Sequence, residues 1–114
     1  MILELKKIYL EESPDIILVY GDTNSTFAAA LAAYKLNIPL AHVEAGERGF
    51  HIIPEEVNRI FVDTVSDLKF CSSERSTSNL SDGIFSGDLE YEYLNNLNPD
   101  ISYGDFGVMT IHRQ

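Results

Sequence analysis

Apolar residues recur at helical spacing at the start of the chain, where Ile2, Leu5, Ile8 and Tyr9 face away from Glu4, Lys6, Lys7, Glu11 and Glu12. The pattern predicts an amphipathic helix over residues 2–12, stopped by Ser13-Pro14 because the residue before a proline disfavours the helical region. The run Asp15-Ile-Ile-Leu-Val-Tyr20 then carries no alternation, which predicts a parallel strand buried on both faces and ended by Gly21. Asp22-Thr-Asn-Ser-Thr26 offers several capping side chains ahead of the alanine-rich helix Phe27 to Tyr34, whose small residues suit close packing on a sheet.

Pro39 opens a second strand, Leu40 to Glu44, followed by a loop holding Arg48, Gly49 and His51. Pro54 sits where the first position of a helix tolerates it, and Val57, Ile60, Phe61 and Val65 supply the expected buried stripe. Short strands at Leu68 to Cys71 and Ile84 to Ser86, and helices at Ser73 to Leu80 and Leu89 to Leu97, continue the alternation. Strands alternating with helices predict right-handed crossovers and a parallel sheet with helices on both sides. Residues 98–105 read as a linker, and Phe106 to Ile111 as a new strand ending on His112 and Arg113. A strand with no returning helix reads as a chain that continues beyond Gln114.

Composition narrows the classes. With 114 residues, 45% hydrophobic and 23% charged, the chain suits one small globular domain rather than a disordered segment. Eight basic residues stand against 18 acidic ones, a net charge of −10, which excludes a nucleic-acid surface but not a small phosphate ligand held at helix N-termini. Cys71 is the only cysteine, so no internal disulfide can form, and a reducing cytoplasm is the default location. Neither a signal-peptide pattern nor a long apolar run is visible, so no membrane partner is expected.

In an open parallel sheet, ligands bind outside the carboxyl ends of the strands, which directs attention to Asp22, Glu44, Ser72-Ser73 and His112. Glu55 and Glu56 lie on the first turn of the helix after the Glu44 loop, where the helix dipole favours ionised acids. Each has a plain alternative: Asp22 as a helix cap, Glu55 and Glu56 as first-turn acids, His42 as a strand residue, His51 as a solvated loop residue. Cys71, with no basic neighbour in sequence, reads as a core thiol. Spacing alone supports an α/β domain with an acidic cleft.

Val19-Tyr-Gly-Asp-Thr-Asn-Ser-Thr26, His42-Val-Glu-Ala-Gly46 and Pro54-Glu-Glu-Val-Asn-Arg59 together resemble, in order and spacing, motifs of the non-hydrolysing UDP-N-acetylglucosamine 2-epimerases. The resemblance continues through Asp67 to Glu74, Ser86-Gly-Asp88 and Thr110-Ile-His-Arg113, and so spans nearly the whole chain. It implies a partial Rossmann-like parallel sheet with flanking helices, part of a two-domain GT-B-like fold. Residues 1–97 would be the later part of the N-terminal domain and its crossover helix. Residues 98–114 would be the linker and first strand of the C-terminal domain.

By the same resemblance, Asp22, Glu44 and Glu55 match catalytic and substrate-facing acids, and His112 a substrate-contacting histidine. Glu47 departs from the family, which commonly has an apolar residue there, and the loop from Gly46 to Pro54 is slightly short. The implied chemistry interconverts UDP-N-acetylglucosamine and UDP-N-acetylmannosamine without a cofactor. UDP leaves C1 as a base takes the C2 proton, and UDP re-adds after protonation from the other face. One base cannot reach both faces, so the route needs two carboxyl groups of different protonation state. The resemblance also implies a cytoplasmic homodimer, when full length, serving cell-surface polysaccharide biosynthesis. A hydrolysing 2-epimerase, which releases UDP and free sugar, and a non-catalytic binding module remain the alternatives. The 114 residues alone are expected to be inactive.

Overall fold

The computed structural model describes residues 1–49 and 53–97, together with 104, 105, 107, 109 and 110. Five helices and four strands alternate in these residues: α1 (Ile2–Glu12), β1 (Ile17–Tyr20), α2 (Asn24–Lys35), β2 (Leu40–Val43), α3 (Pro54–Val65), β3 (Leu68–Cys71), α4 (Glu74–Ser78), β4 (Ile84–Phe85) and α5 (Leu89–Asn96). The sheet is four-stranded and wholly parallel in the order β1-β2-β3-β4. Each element anticipated from the pattern up to Leu97 is present, within a few residues of its expected limits. The expected strand from Phe106 to Ile111 lies largely outside the described residues, as does most of the linker.

Capping explains several boundaries. The Thr23 hydroxyl accepts from the Thr26 amide to start α2, while Ser73 does the same for Ser76 at α4. Pro54 occupies the start of α3, and Ser13 takes the left-handed conformation that ends α1. The helices share one core. Ala30, Ala32 and Ala33 of α2 pack with Val19, Leu40 and Val62, and α1 adds Ile2, Leu5 and Tyr9. Alanines let the α2 backbone approach the sheet, and the rings of Phe27 and Phe61, 4.6 Å apart, lock α2 to α3.

Among the described residues the helices between strands do not lie on both sheet faces, as the alternation led us to expect, and only the first turn of α5 stands toward the second face. The strand register puts Val19, His42 and Lys69 on one face, next to Ile17, Leu40 and Cys71, and this is the face that α2, α3 and α4 cover. When each strand is added on the same side of its predecessor, right-handed crossovers place every connecting helix on the same face. On the opposite row Leu18, Tyr20, Leu68 and Ile84 are exposed, while Ala41 is buried and Val43 and Phe70 are half-buried, so β1 is not buried on both faces as its sequence suggested.

Among the described residues β1 is an edge strand, and exposed apolar side chains beside such an edge favour self-association. The isolated 114-residue chain is expected to sediment as oligomers and to enhance the fluorescence of a hydrophobic dye. Changing Leu18→Lys together with Leu68→Lys should restore the monomer. A monomeric parent chain with no dye response would count against the exposed face being adhesive.

The stripe expected for α3 also needs correction. Phe61 and Val65 pack against the core as expected, but Val57 and Ile60 are exposed, whereas Glu56, Asn58, Val62 and Asp63 are buried. The inner side of α3 meets an apolar core at one end and the polar turns at the strand ends at the other. Its buried face is consequently mixed, and a purely apolar stripe does not identify it.

Candidate active site

The carboxyl edge of the sheet is built from two tight turns. After β1, Gly21 takes a left-handed conformation (φ 64°) and donates its amide to the Val43 carbonyl at 3.0 Å. After β2, Glu44 itself is left-handed (φ 67°), an uncommon conformation for a non-glycine residue. That geometry brings the Glu44 carboxylate over Gly21, where a Cβ would stand 3.2 Å from its Oε2. Glu44 thereby comes under the influence of Asp22. Glu44 is exposed as a residue, yet desolvation of its carboxyl, then the negative charges of Asp22 and Glu90, raise that carboxyl above the usual carboxylate range, while His42 opposes them.

Asp22 is held in a different way. Its carboxylate pairs with the Arg59 guanidinium, and its carbonyl accepts from Asn58 Nδ2 at 2.9 Å. The second arm of Arg59 reaches Glu56 at 2.5 Å, and Glu56 also accepts from the Gly49 amide at 3.0 Å. Asn58 continues to Asn24 at 3.0 Å. The first turns of α3 thus clamp the β1 turn, the start of α2 and the loop after Gly46 together.

A cleft of about 720 Å³ opens on the uncovered sheet face, with Tyr20, Val43 and Phe70 as its apolar wall and Glu44, Glu47, Ser72, Asp88 and Glu90 among its polar groups. This volume lies within the range of small-molecule sites. Glu47, the position where the family resemblance breaks, accepts from the Ser72 hydroxyl at 2.7 Å and so stands on the cleft rim. Ser73 caps α4. Glu55 is half-buried on the first turn of α3 and does not contribute to this cleft lining; neither does Asp22. The structure brings Asp22 and Glu44 together, and on α3 it is Glu56 whose ties run through Arg59 to Asp22. His51, His112 and Arg113 lie outside the described residues.

Two residues carry more than their sequence context suggested. His42 is fully buried, and Asp63, which sequence reasoning passed over, is 2% exposed. The ring's Nδ1 lies 2.7 Å from Asp63 Oδ1, and its Nε2 donates to the Gly21 carbonyl at 2.8 Å. Asp63 also accepts from Arg48 at 2.7 Å and from the Gly46 amide at 3.2 Å. Burial alone would raise the Asp63 carboxyl, but hydrogen bonds from His42, Arg48 and Gly46 outweigh it and hold the group below its ordinary value. The available signal was a polar residue inside an apolar run, namely His42 between Ala41 and Val43 and Asp63 after Phe61-Val62. Cys71 behaves as expected of a core thiol: it is fully buried, and burial pushes its pKa up.

A family profile described as UDP-N-acetylglucosamine 2-epimerase matches residues 1–88. The chain belongs to that family. A UDP-2,3-diacetamido-2,3-dideoxy-D-glucuronate 2-epimerase of Pseudomonas aeruginosa is 53% identical over 81 residues, covering 70% of this chain and 23% of that protein. A UDP-N-acetylglucosamine 2-epimerase homolog of Methanococcus maripaludis is 45% identical over 116 residues, covering 96% of this chain and 32% of that protein.

The solved structure of the Methanocaldococcus jannaschii UDP-GlcNAc 2-epimerase in complex with UDP-GlcNAc and UDP superposes with a TM-score of 0.67 at 46% identity, over 68% of this chain and 22% of that one. The chain therefore spans between a fifth and a third of the length of these relatives. The family match ends at Asp88, the cap of α5, so Asp22, Glu44, Glu55, Arg59 and Asp63 all lie within the segment shared with the 2-epimerases. Among the described residues, no helix is long and apolar enough to cross a membrane.

Proposed function

We propose that this chain is the acid-bearing central segment of a non-hydrolysing 2-epimerase acting on a UDP-linked 2-acetamido sugar, UDP-N-acetylglucosamine in the first instance. The observation that carries the reading is the opposed environment of two neighbouring acids. Glu44 is pushed toward its protonated form, and Asp22 is ion-paired with Arg59. One carboxyl group that favours its proton, beside a second that faces a guanidinium, is the arrangement that an acid and a base require.

In the forward direction, Asp22 as the base takes the C2 proton while the C1–O bond to UDP breaks, leaving UDP and a 2-acetamidoglucal. In the return, Glu44 delivers a proton to the opposite face of C2, and a phosphate oxygen of UDP re-forms the bond at C1. Glu55 is assigned to the positive charge that develops at C1. His112, with Arg113, is assigned to the departing diphosphate. The domain division follows the same reading, with residues 1–97 in an N-terminal Rossmann-like domain and 98–114 leading into a second one, the active protein being a cytoplasmic homodimer in polysaccharide biosynthesis.

Both the Methanocaldococcus and the Pseudomonas relatives carry names that specify inversion at C2 of a UDP-linked sugar, so the Pseudomonas match favours a 2,3-diacetamido uronate as the second candidate substrate. The test is to place residues 1–88 into the Methanocaldococcus enzyme in exchange for the matching segment and to incubate the chimera with each sugar nucleotide in heavy water. Epimerised product is expected to carry deuterium at C2, with UDP retained on the sugar. Product that keeps its original hydrogen would refute the proton-transfer route, and release of free N-acetylmannosamine would move the assignment to the hydrolysing class.

A further inference from the structure

We propose that Asp63, acting through His42, is a positioning residue that holds the turns bearing Asp22 and Glu44 at a fixed separation. The inference rests on the epimerase reading above for its functional consequence, but its geometry is independent of that reading. One carboxylate on α3 reaches both turns. Through Oδ1 it contacts the His42 ring, whose other nitrogen donates to the Gly21 carbonyl next to Asp22, and through Oδ2 it accepts from the Gly46 amide two residues after Glu44. Arg48 closes the same oxygen from the loop side.

The ring's protons follow from its partners. A carbonyl oxygen can only accept, so Nε2 carries a hydrogen; Asp63 is held ionised, so Nδ1 faces an acceptor as well. His42 is therefore clamped at both ring nitrogens, between Asp63 and Gly21. The charged groups facing it are Asp63 from α3 and Glu44 from its own turn, with Arg48 on the far side of Asp63.

A tether of this kind has a purpose at these turns. Gly21, Glu44 and Gly46 are all left-handed, with φ of 64°, 67° and 77°, so neither turn is set by ordinary strand geometry. A buried ion pair is a poor way to gain stability, because apolar residues of equal volume serve as well without the desolvation cost. It is a good way to fix two backbone positions relative to each other by directional bonds. The spacing of Asp22 and Glu44 relative to the C2 atom is the quantity that such bonds would hold, and displacements of about 1 Å are enough to lower a rate about 100-fold.

The experiment uses the same chimera, with Asp63→Asn and His42→Gln singly and together. The first change keeps the side-chain volume but not the charge, and the second leaves an amide that can still donate to Gly21 without reaching Asp63. In the parent protein, the long-range proton–nitrogen NMR spectrum of His42 is expected to report hydrogen bonds at both ring nitrogens, and D63N to shift the Nδ1 signal while the Nε2 bond to Gly21 stays in place. For epimerisation, D63N should lower kcat about 100-fold, with KM for UDP-N-acetylglucosamine changed by less than about threefold. H42Q should lose less, and the double variant should be no worse than D63N alone.

Two results would overturn the proposal: a His42 Nδ1 signal that does not respond to D63N, or a folded D63N protein that melts earlier yet keeps its kcat. A folded chimera with the expected ring spectrum but no epimerase activity would refute the functional reading and with it the catalytic purpose of the tether, while leaving the bonded network itself established.

Discussion

Asp22→Asn and Glu44→Gln, made in the Methanocaldococcus chimera, are each expected to lower kcat by about 100- to 10,000-fold, since removing a positioned acid or base forfeits its share of proton transfer. The two losses should differ in their pH behaviour. Glu44 acts as the acid only while protonated, and its pKa lies above the ordinary value, so the rate should fall as pH rises through that elevated pKa.

Stability moves with the same sign. Because the folded protein holds the Glu44 proton more tightly than the unfolded chain does, the stabilisation is complete below the unfolded pKa and is lost as pH rises through the folded one. Glu44→Gln should therefore unfold at a higher temperature than the parent at neutral pH while being nearly inactive. Coupled pH–rate and pH–melting measurements on the parent and E44Q decide this. A melting temperature lowered by E44Q at neutral pH would show that Glu44 is not held against the charge of its neighbours.

Gly46→Ala should be the most destabilising single methyl group that can be added at a described glycine. Gly46 has φ 77°, and a Cβ there would lie 2.2 Å from the Ser76 carbonyl oxygen and 3.2 Å from the Leu80 side chain. The conformation alone costs a non-glycine residue about 1–2 kcal/mol, and forcing backbone apart in a packed site about 1–3 more, giving about 2–5 kcal/mol together. That is a large part of the stability of a small domain.

Gly87→Ala provides the control, because Gly87 is also left-handed (φ 79°) but has nothing within 4 Å of the added methyl. Only the conformational part should appear there, about 1–2 kcal/mol. Urea unfolding of both variants in the chimera separates strain from collision. Equal losses would mean that α4 yields without resistance and that the close approach of the Gly46 turn to Ser76 is not a constraint.

The parallel α/β order was legible in the sequence because local rules suffice for it. Unbroken apolar runs such as Ile16 to Tyr20 can persist only as strands or buried segments, and the caps Thr23, Ser73 and Asp88 mark helix starts by hydrogen bonds to amides two or three residues away. Asp22 and Glu44 were also legible, since a parallel sheet presents the residue after each strand at its ligand-binding edge.

What local rules could not supply was any quantity that depends on which elements become neighbours. That the helices would share one face, leaving Leu18 and Tyr20 exposed, follows from strand order, and strand order is set by packing rather than by any run of residues. That α3 would bury Glu56, Asn58 and Asp63 while exposing Val57 and Ile60 depends on what that face meets. The bonds from Asp63 to His42 and Gly46, and from Arg59 to Asp22, join residues 15 or more apart in sequence, and only the folded chain brings such residues within hydrogen-bonding range. Sequence determined the elements and the acids at their ends; tertiary structure decided how those acids are held and charged, because burial and pairing are properties of neighbours in space.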